Sequence, residues 1–272
     1  MSDCNGSCSS CGVEGCSSRD QGIPKEPGNK YSKIGKVIGV VSGKGGVGKS
    51  LVTAELAVKL RRAGYKVGVL DADITGPSIP KVFGVHEQAV GTDQGIYPAV
   101  TIQGIKIISV NMMLESEETP VVWRGPVIAG VVTQFWNDVI WGELDYLLVD
   151  MPPGTGDVPL TVFQSLPVDG IVIVTSPQEL FEMIVKKADN MARMMNIPVL
   201  GLVQNMSYLE CPDCGKKIYI SGRGKGEDLA KELQIPSFAS LPIDPSIAAL
   251  CDEGMIEMFD HPYLDDMVKN LG

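Results

Sequence analysis

Three observations predict an α/β fold, doubly wound around a mostly parallel sheet of about seven strands with helices on both faces. From Lys36 onward, short β-branched runs alternate with helical patterns. The runs are apolar almost throughout, as strands covered on both faces must be, and the first leads through a glycine-rich loop straight into a helix. In order, VIGVVS (37–42) reads as the first strand, KSLVTAELAVKLRRAG as the helix after it and KVGVLDAD (66–73) as the second strand. IKIISV (105–110), YLLVD (146–150), GIVIVT (170–175), VLGLVQN (199–205) and FASLP (238–242) supply five more buried-strand candidates. Helical patterns over 126–141, 179–195 and 225–234 lie between them. No internal repeat is present, and strand order does not follow from these patterns.

The bulk properties bound the function. A chain of 272 residues, 44% hydrophobic and 21% charged, can bury a full core and is too apolar for general disorder. No window approaches the roughly 18 apolar residues of a membrane span. The opening MSDCNGSCSS lacks the basic-then-apolar layout of a signal peptide, so a cytoplasmic protein without a membrane partner is expected. A formal net charge of -10 opposes a large phosphate-neutralising surface, which argues against nucleic acid as a partner. Residues 1–35 are rich in Ser, Gly, Cys and Pro and are read as a flexible Cys-rich N-terminal arm; residues 36–272 form the folded domain.

The sharpest motif follows the first strand: Gly43-Lys44-Gly45-Gly46-Val47-Gly48-Lys49-Ser50, then Leu51 and the helix. It satisfies the GxxxxGK[ST] pattern of a P-loop in the right context. Glycines let backbone N–H groups curl around phosphate oxygens, the helix start adds its positive end, Lys49 neutralises charge and Ser50 can ligate Mg2+. Four fixed positions would arise by chance about once in a hundred chains of this length. A P-loop holds a nucleotide but does not position magnesium or the attacking water, a task for acidic strand ends. Asp71 and Asp73 end the second strand, and Asp150 ends YLLVD in a Walker B arrangement; all three belong at the carboxyl edge of the sheet, where Asp71 and Asp150 join Ser50 as candidate Mg2+ residues. The plainer role for these carboxylates is helix capping or turn formation.

GKGGVGKS, with its additional Lys44, resembles the deviant Walker A motif of the MinD, ParA and nitrogenase-iron-protein superfamily. DADITGPSIP, WRGP (123–126), DMPPGTGD (150–157) and NMSYLECPDCG (205–215) together resemble its Mrp/ApbC-type iron-sulfur cluster carrier branch, from about Lys36 almost to the end. The resemblance implies an ATPase of low turnover that works as a homodimer and delivers clusters to recipient apoproteins. It implies that Lys44 reaches the partner's nucleotide, Asp73 orients the hydrolytic water, Asp150 holds magnesium through water and Asn205 contacts the adenine base.

The seven cysteines are distributed as four near the start, a CxxC and Cys251 alone, which is no disulfide framework. Cys211 and Cys214 lie in a loop after a strand and supply two thiolates, half of what a tetrahedral zinc or a cubane cluster takes. A twofold dimer completes four, and the resemblance implies a bridging 4Fe-4S cluster there; zinc also suits CPxCG. Cys4, Cys8, Cys11 and Cys16 resemble an N-terminal cluster-binding segment of cytosolic scaffold members, although their spacing differs from it. An arm without a cluster is the plainer reading. Cys251 reads as a buried thiol. His86 and His261 lie far apart, which disfavours joint metal ligation, and MARMMN (191–196) reads as core filling. Two rival functions share the P-loop: a zinc-bridged nucleotide-dependent regulator, and a MinD- or ParA-like spatial organiser. The C-terminal DHPYLDDMVKNLG lacks the membrane or DNA handle the latter needs.

Overall fold

The computed structural model describes residues 26–73, 78–113, 125–177, 181–222 and 224–271. In chain order the strands are β1 (Lys33–Ser42), β2 (Val67–Asp71), β3 (Val90–Thr92), β4 (Gly95–Tyr97), β5 (Ala99–Val100), β6 (Lys106–Ser109), β7 (Glu143–Asp150), β8 (Gly170–Thr175), β9 (Val199–Glu210), β10 (Lys217–Ile218) and β11 (Phe238–Pro242). The helices are α1 (Lys49–Arg62), α2 (Ile79–Val82), α3 (Gly125–Asp138), α4 (Asp157–Ser165), α5 (Phe181–Met194), α6 (Gly226–Glu232), α7 (Pro245–Asp252) and α8 (Asp265–Leu271).

Among the described residues the main sheet has nine strands in the order β10-β9-β8-β1-β7-β2-β6-β5, with β11 also on β9. The seven strands read from the apolar runs are all present and mutually parallel. The two additional ones, β5 and β10, are two-residue antiparallel additions at its margins, and β3 and β4 form a separate hairpin. Such short pieces carry no hydrophobic period of their own, so only a neighbouring strand defines them.

Alternation along each strand sends successive side chains to opposite layers. Val37 and Val41 of β1, with Leu147 and Val149 of β7, face one core under α3, α4, α5 and α6. Ile38 and Val40, with Tyr146 and Leu148, face the other under α1, α2, α7 and α8. Both faces are covered, which is why the strands read as continuous apolar runs. In α5, Met191 fills the core while Met194 projects outward at 81% exposure, so core filling holds for only part of MARMMN.

The packed structure begins earlier than the expected boundary at Lys36. The Glu26 N–H donates to Ser165 O (3.0 Å) and Trp136 Nε1 donates to Glu26 O (3.0 Å). Asn29 Nδ2 donates to Asn137 O (3.0 Å), and Ser32 Oγ to Val139 O (3.2 Å). Residues 26–32 are held by polar contacts to α3, α4 and the residues after α3, not by apolar burial, and composition registers only the latter. Cys4, Cys8, Cys11 and Cys16, and Trp123 and Arg124 of the WRGP turn, lie outside the described residues. Among the described residues no helix is long and apolar enough to cross a membrane.

Leu148 is fully buried in β7, between β1 and β2. Leu148→Ala is expected to cost about 2–5 kcal/mol of stability, read as a lower urea midpoint with an unchanged slope.

Candidate functional site

Parallel pairing in register sets the site. Val40 of β1 and Asp71 of β2 both pair with Asp150 of β7, so three strands end together at one edge of the sheet. The loop from Gly43 to Gly48 leaves β1 at this edge and enters α1. Gly48, the residue before the helix, has φ 80°, and a Cβ there would sit 2.2 Å from Asn205 Nδ2. Only glycine meets both demands. Gly45 and Gly46 have nothing within 4 Å of an added Cβ and border open space.

That space is a cavity of about 670 Å³. Of the expected residues, Gly45, Gly46, Gly48, Lys49, Ser50, Leu51, Asp73 and Asn205 line it. Pro242, Ile243, Asp244 and Ile247, from the β11–α7 junction, form a further wall that strand and helix patterns did not reveal. Gly43 packs under Ile184 of α5, Val47 is buried and Lys44 is half-buried in the loop.

Asp150 is wholly buried and lies at the centre of the polar contacts. Lys49 Nζ lies 2.9 Å from its Oδ1 and 3.3 Å from Asp73 Oδ2. Ser50 Oγ donates to Asp150 Oδ2 (2.5 Å) and Thr53 Oγ1 to Oδ1 (2.8 Å). Asp71 is equally buried behind this group, and its Oδ1 accepts the Asp73 N–H (3.1 Å). Burial first, then the Asp150 charge beside it, hold the Asp71 carboxyl well above the usual carboxylate range. Ser50 and Asp150 supply hard oxygen donors suited to a hydrated Mg2+, with Lys49 in reach of phosphate charge, whereas Asp71, the third expected magnesium residue, has its Oδ1 engaged by the Asp73 N–H. Ser42 Oγ, buried on the cavity wall without a hydrogen-bond partner among the described residues, adds a polar group that the motif did not flag.

Asn205 clamps the loop: its Nδ2 donates to Val47 O (3.0 Å) while its Oδ1 accepts the Met206 N–H (2.9 Å). Met206 takes the left-handed conformation at φ 55° and also lines the cavity. On the same helix as Lys49, buried Glu55 has Oε2 3.5 Å from His261 Nε2, and His261 Nδ1 accepts the Tyr263 N–H (3.0 Å). This histidine is held by protein groups.

β9 continues from Asn205 to Glu210, and the next residue is Cys211. The Cys211 N–H donates to Lys216 O (3.0 Å) and the Gly215 N–H to Cys211 O (2.9 Å), closing a tight turn that carries both thiols. The backbone N–H of Asp213 chiefly, then that of Cys214 and the Cys214 thiol, hold the Cys211 pKa below that of an ordinary thiol. The thiolate is the form that binds metal. Cys251 differs: burial chiefly, then Glu55 and Asp252, push its thiol up to about 11. Among the described residues no cluster of three or more His, Cys, Asp or Glu side chains could hold a metal ion. One chain therefore contributes two thiols in this turn, which is half of a four-thiolate site.

A family model described as NUBPL iron-transfer P-loop NTPase (ParA) matches residues 33–270, and the chain belongs to that family of P-loop NTPases. The family resemblance read from the motifs is thereby upheld. The chain is 47% identical over 269 residues to an iron-sulfur cluster carrier protein of Clostridium perfringens, covering 93% of this chain and 94% of the relative. It is likewise 47% identical over 261 residues to an iron-sulfur cluster carrier protein of Methanocaldococcus jannaschii, covering 94% and 90%. A nucleotide-binding protein of Archaeoglobus fulgidus, solved in complex with ADP, superposes with a TM-score of 0.78 at 46% identity, covering 85% of this chain and 91% of that one. The cell-division ATPase MinD of Pyrococcus furiosus shares the fold, with a TM-score of 0.61 at 21% identity, covering 87% and 98%.

At pH 8, iodoacetamide is expected to modify Cys211 well before Cys251, because backbone donors hold the Cys211 thiol below the ordinary range while burial pushes the Cys251 thiol up to about 11. Peptide mass spectrometry over time checks the order, and equal rates would contradict it.

Proposed function

We propose that the chain is an ATP-dependent iron-sulfur cluster carrier. A homodimer holds a 4Fe-4S cluster as cargo between Cys211 and Cys214 of both copies, passes it to recipient apoproteins and hydrolyses ATP slowly. The observation that carries this reading is β9, a single strand that runs from Asn205, clamped on the phosphate loop, to the turn bearing the two thiols. A change at the loop has a direct covalent and hydrogen-bonded route to the cysteines. The relatives named as cluster carriers support the same cargo.

In this reading the backbone of residues 43–50 and Lys49 receive the triphosphate, with Leu51 beside it. Ser50 and, through water, Asp150 hold Mg2+, which supplies charge neutralisation on the phosphates. Asp73, on the cavity wall, orients the hydrolytic water, while Asp71 supports the Asp73 backbone from behind. Asn205 contacts the adenine base while bonding the loop. Lys44 completes the nucleotide site of the partner copy, so nucleotide occupancy changes how the two copies meet and how firmly the four thiolates hold the cluster. Such coupling requires the two dimer states to differ in cluster affinity. Cys4, Cys8, Cys11 and Cys16 hold a second cluster, and the cytoplasm, where thiols stay reduced, is the compartment this chemistry fits.

Anaerobic purification followed by iron, acid-labile sulfide and zinc analysis tests the proposal. The Cys211→Ala/Cys214→Ala variant is expected to lose the dimer-bound iron and sulfide while still binding ATP. Lys49→Ala is expected to lose ATP binding and, with it, any effect of ATP on cluster release. An unchanged iron and sulfide content in the double cysteine variant, or stoichiometric zinc in the native dimer, would overturn the cargo assignment.

A further inference from the structure

Thr53 belongs to no nucleotide-binding motif, yet it sits at the centre of the polar network. It lies one helical turn after Lys49 on α1, is fully buried and does not line the cavity. Its Oγ1 is 2.8 Å from Asp150 Oδ1 and 3.0 Å from Lys49 O. A threonine in a helix selects between two side-chain rotamers according to whether its hydroxyl meets the carbonyl four residues back. Here the rotamer that meets this carbonyl also reaches the carboxylate. One hydroxyl proton faces two acceptors, and the ionised carboxylate is the stronger.

Among the described residues Asp150 has three side-chain partners, and they are not equivalent. Ser50 and Lys49 border the cavity and must turn toward a metal ion and phosphate when a nucleotide arrives. Thr53 faces neither, so its bond to Oδ1 can persist in both states. We propose that Thr53 is a positioning residue: its hydroxyl fixes the plane of the Asp150 carboxylate, so that Oδ2 stays directed at Ser50 and the magnesium side of the site. Lys49 shares Oδ1 with Thr53 (2.9 Å), so once Lys49 turns to phosphate and Ser50 to the metal, the Thr53 bond is the one that still holds the carboxylate plane. This inference rests on the reading above that Asp150 serves magnesium.

The test is a Mg2+ titration of the binding of a fluorescent ATP analogue to the full-length protein, with a parallel measurement in EDTA. Thr53→Val keeps the shape and removes the hydroxyl. It is expected to raise the Mg2+ concentration at half-saturation about 10- to 100-fold, the usual cost of losing a group that orients a metal ligand. Binding in EDTA stays within about twofold of the native chain, and Thr53→Ser restores the native Mg2+ dependence. A merely structural role would weaken both measurements together. A Thr53→Val protein with the native Mg2+ dependence, or equal losses with and without Mg2+, would overturn the proposal. If Thr53→Val does not fold, Thr53→Ser against Thr53→Ala makes the same comparison, and equal Mg2+ dependence in that pair refutes it. If native binding proves independent of Mg2+, the parent reading of Asp150 fails instead.

Discussion

A carboxylate with no solvent exposure is tolerable only where other groups replace its water, and Asp150 is such a case. Lys49, Ser50 and Thr53 all turn toward it from the first turns of α1, so the charge is neutralised and its oxygens are hydrogen-bonded. The arrangement needs β7 to lie directly between β1 and β2, because only then does the helix that leaves β1 start above the end of β7. The fold and the site are thus one constraint: the sheet delivers the carboxylate and the loop supplies its partners. Asp71, side by side with Asp150 across the strand pair, would put a second charge in the same place. Burial and the neighbouring Asp150 charge hold the Asp71 carboxyl well above the usual carboxylate range, which relieves the conflict by favouring a proton on Asp71.

The same economy governs the thiols. Cys211 and Cys251 are chemically identical, and their settings separate them. In the turn after β9, backbone N–H groups converge on Cys211 and favour its thiolate. At the end of α7, Cys251 meets burial and nearby carboxylates, which favour the thiol. The first setting favours the thiolate, the form of the sulfur able to bind metal, while the second leaves a sulfur that lines the cavity beside the glycine loop.

β9 carries a local irregularity between the two functional ends. Its register with β11 shifts between Ser240, opposite Gln204, and Pro242, opposite Tyr208. Met206 lies within this stretch in the left-handed region, a conformation that costs a side-chain-bearing residue about 1–2 kcal/mol. Gln204 Nε2 donates to Ser207 Oγ (2.9 Å), and Ser207 Oγ donates to Gln204 O (2.6 Å), bracing the bulge from within. Bulges of this kind bend a strand and re-aim the residues beyond the bend. Here the bend lies between the loop-clamping amide and the cysteine turn.

Much of this molecule was legible along the chain because its signals are local. Apolar runs such as GIVIVT mark a strand buried on both faces wherever it finally lies, and the glycine loop binds through its own backbone. Asp150 was marked by ending an apolar run. What local signals cannot carry is who stands next to whom. The strand order, the two-residue strands β5 and β10 and the anchoring of residues 26–32 on α3 depend on partners distant in sequence. The same holds for the roles of Thr53, which is an ordinary helix residue until β7 arrives beside it, and of Asn205, whose amide acquires meaning only when β9 passes under the loop. The sequence alone determined a P-loop on a parallel sheet with a separate pair of thiols. Tertiary structure decided that the carboxylate is buried among three α1 side chains and that one strand joins both sites, since hydrogen bonding and desolvation are settled by neighbours in space.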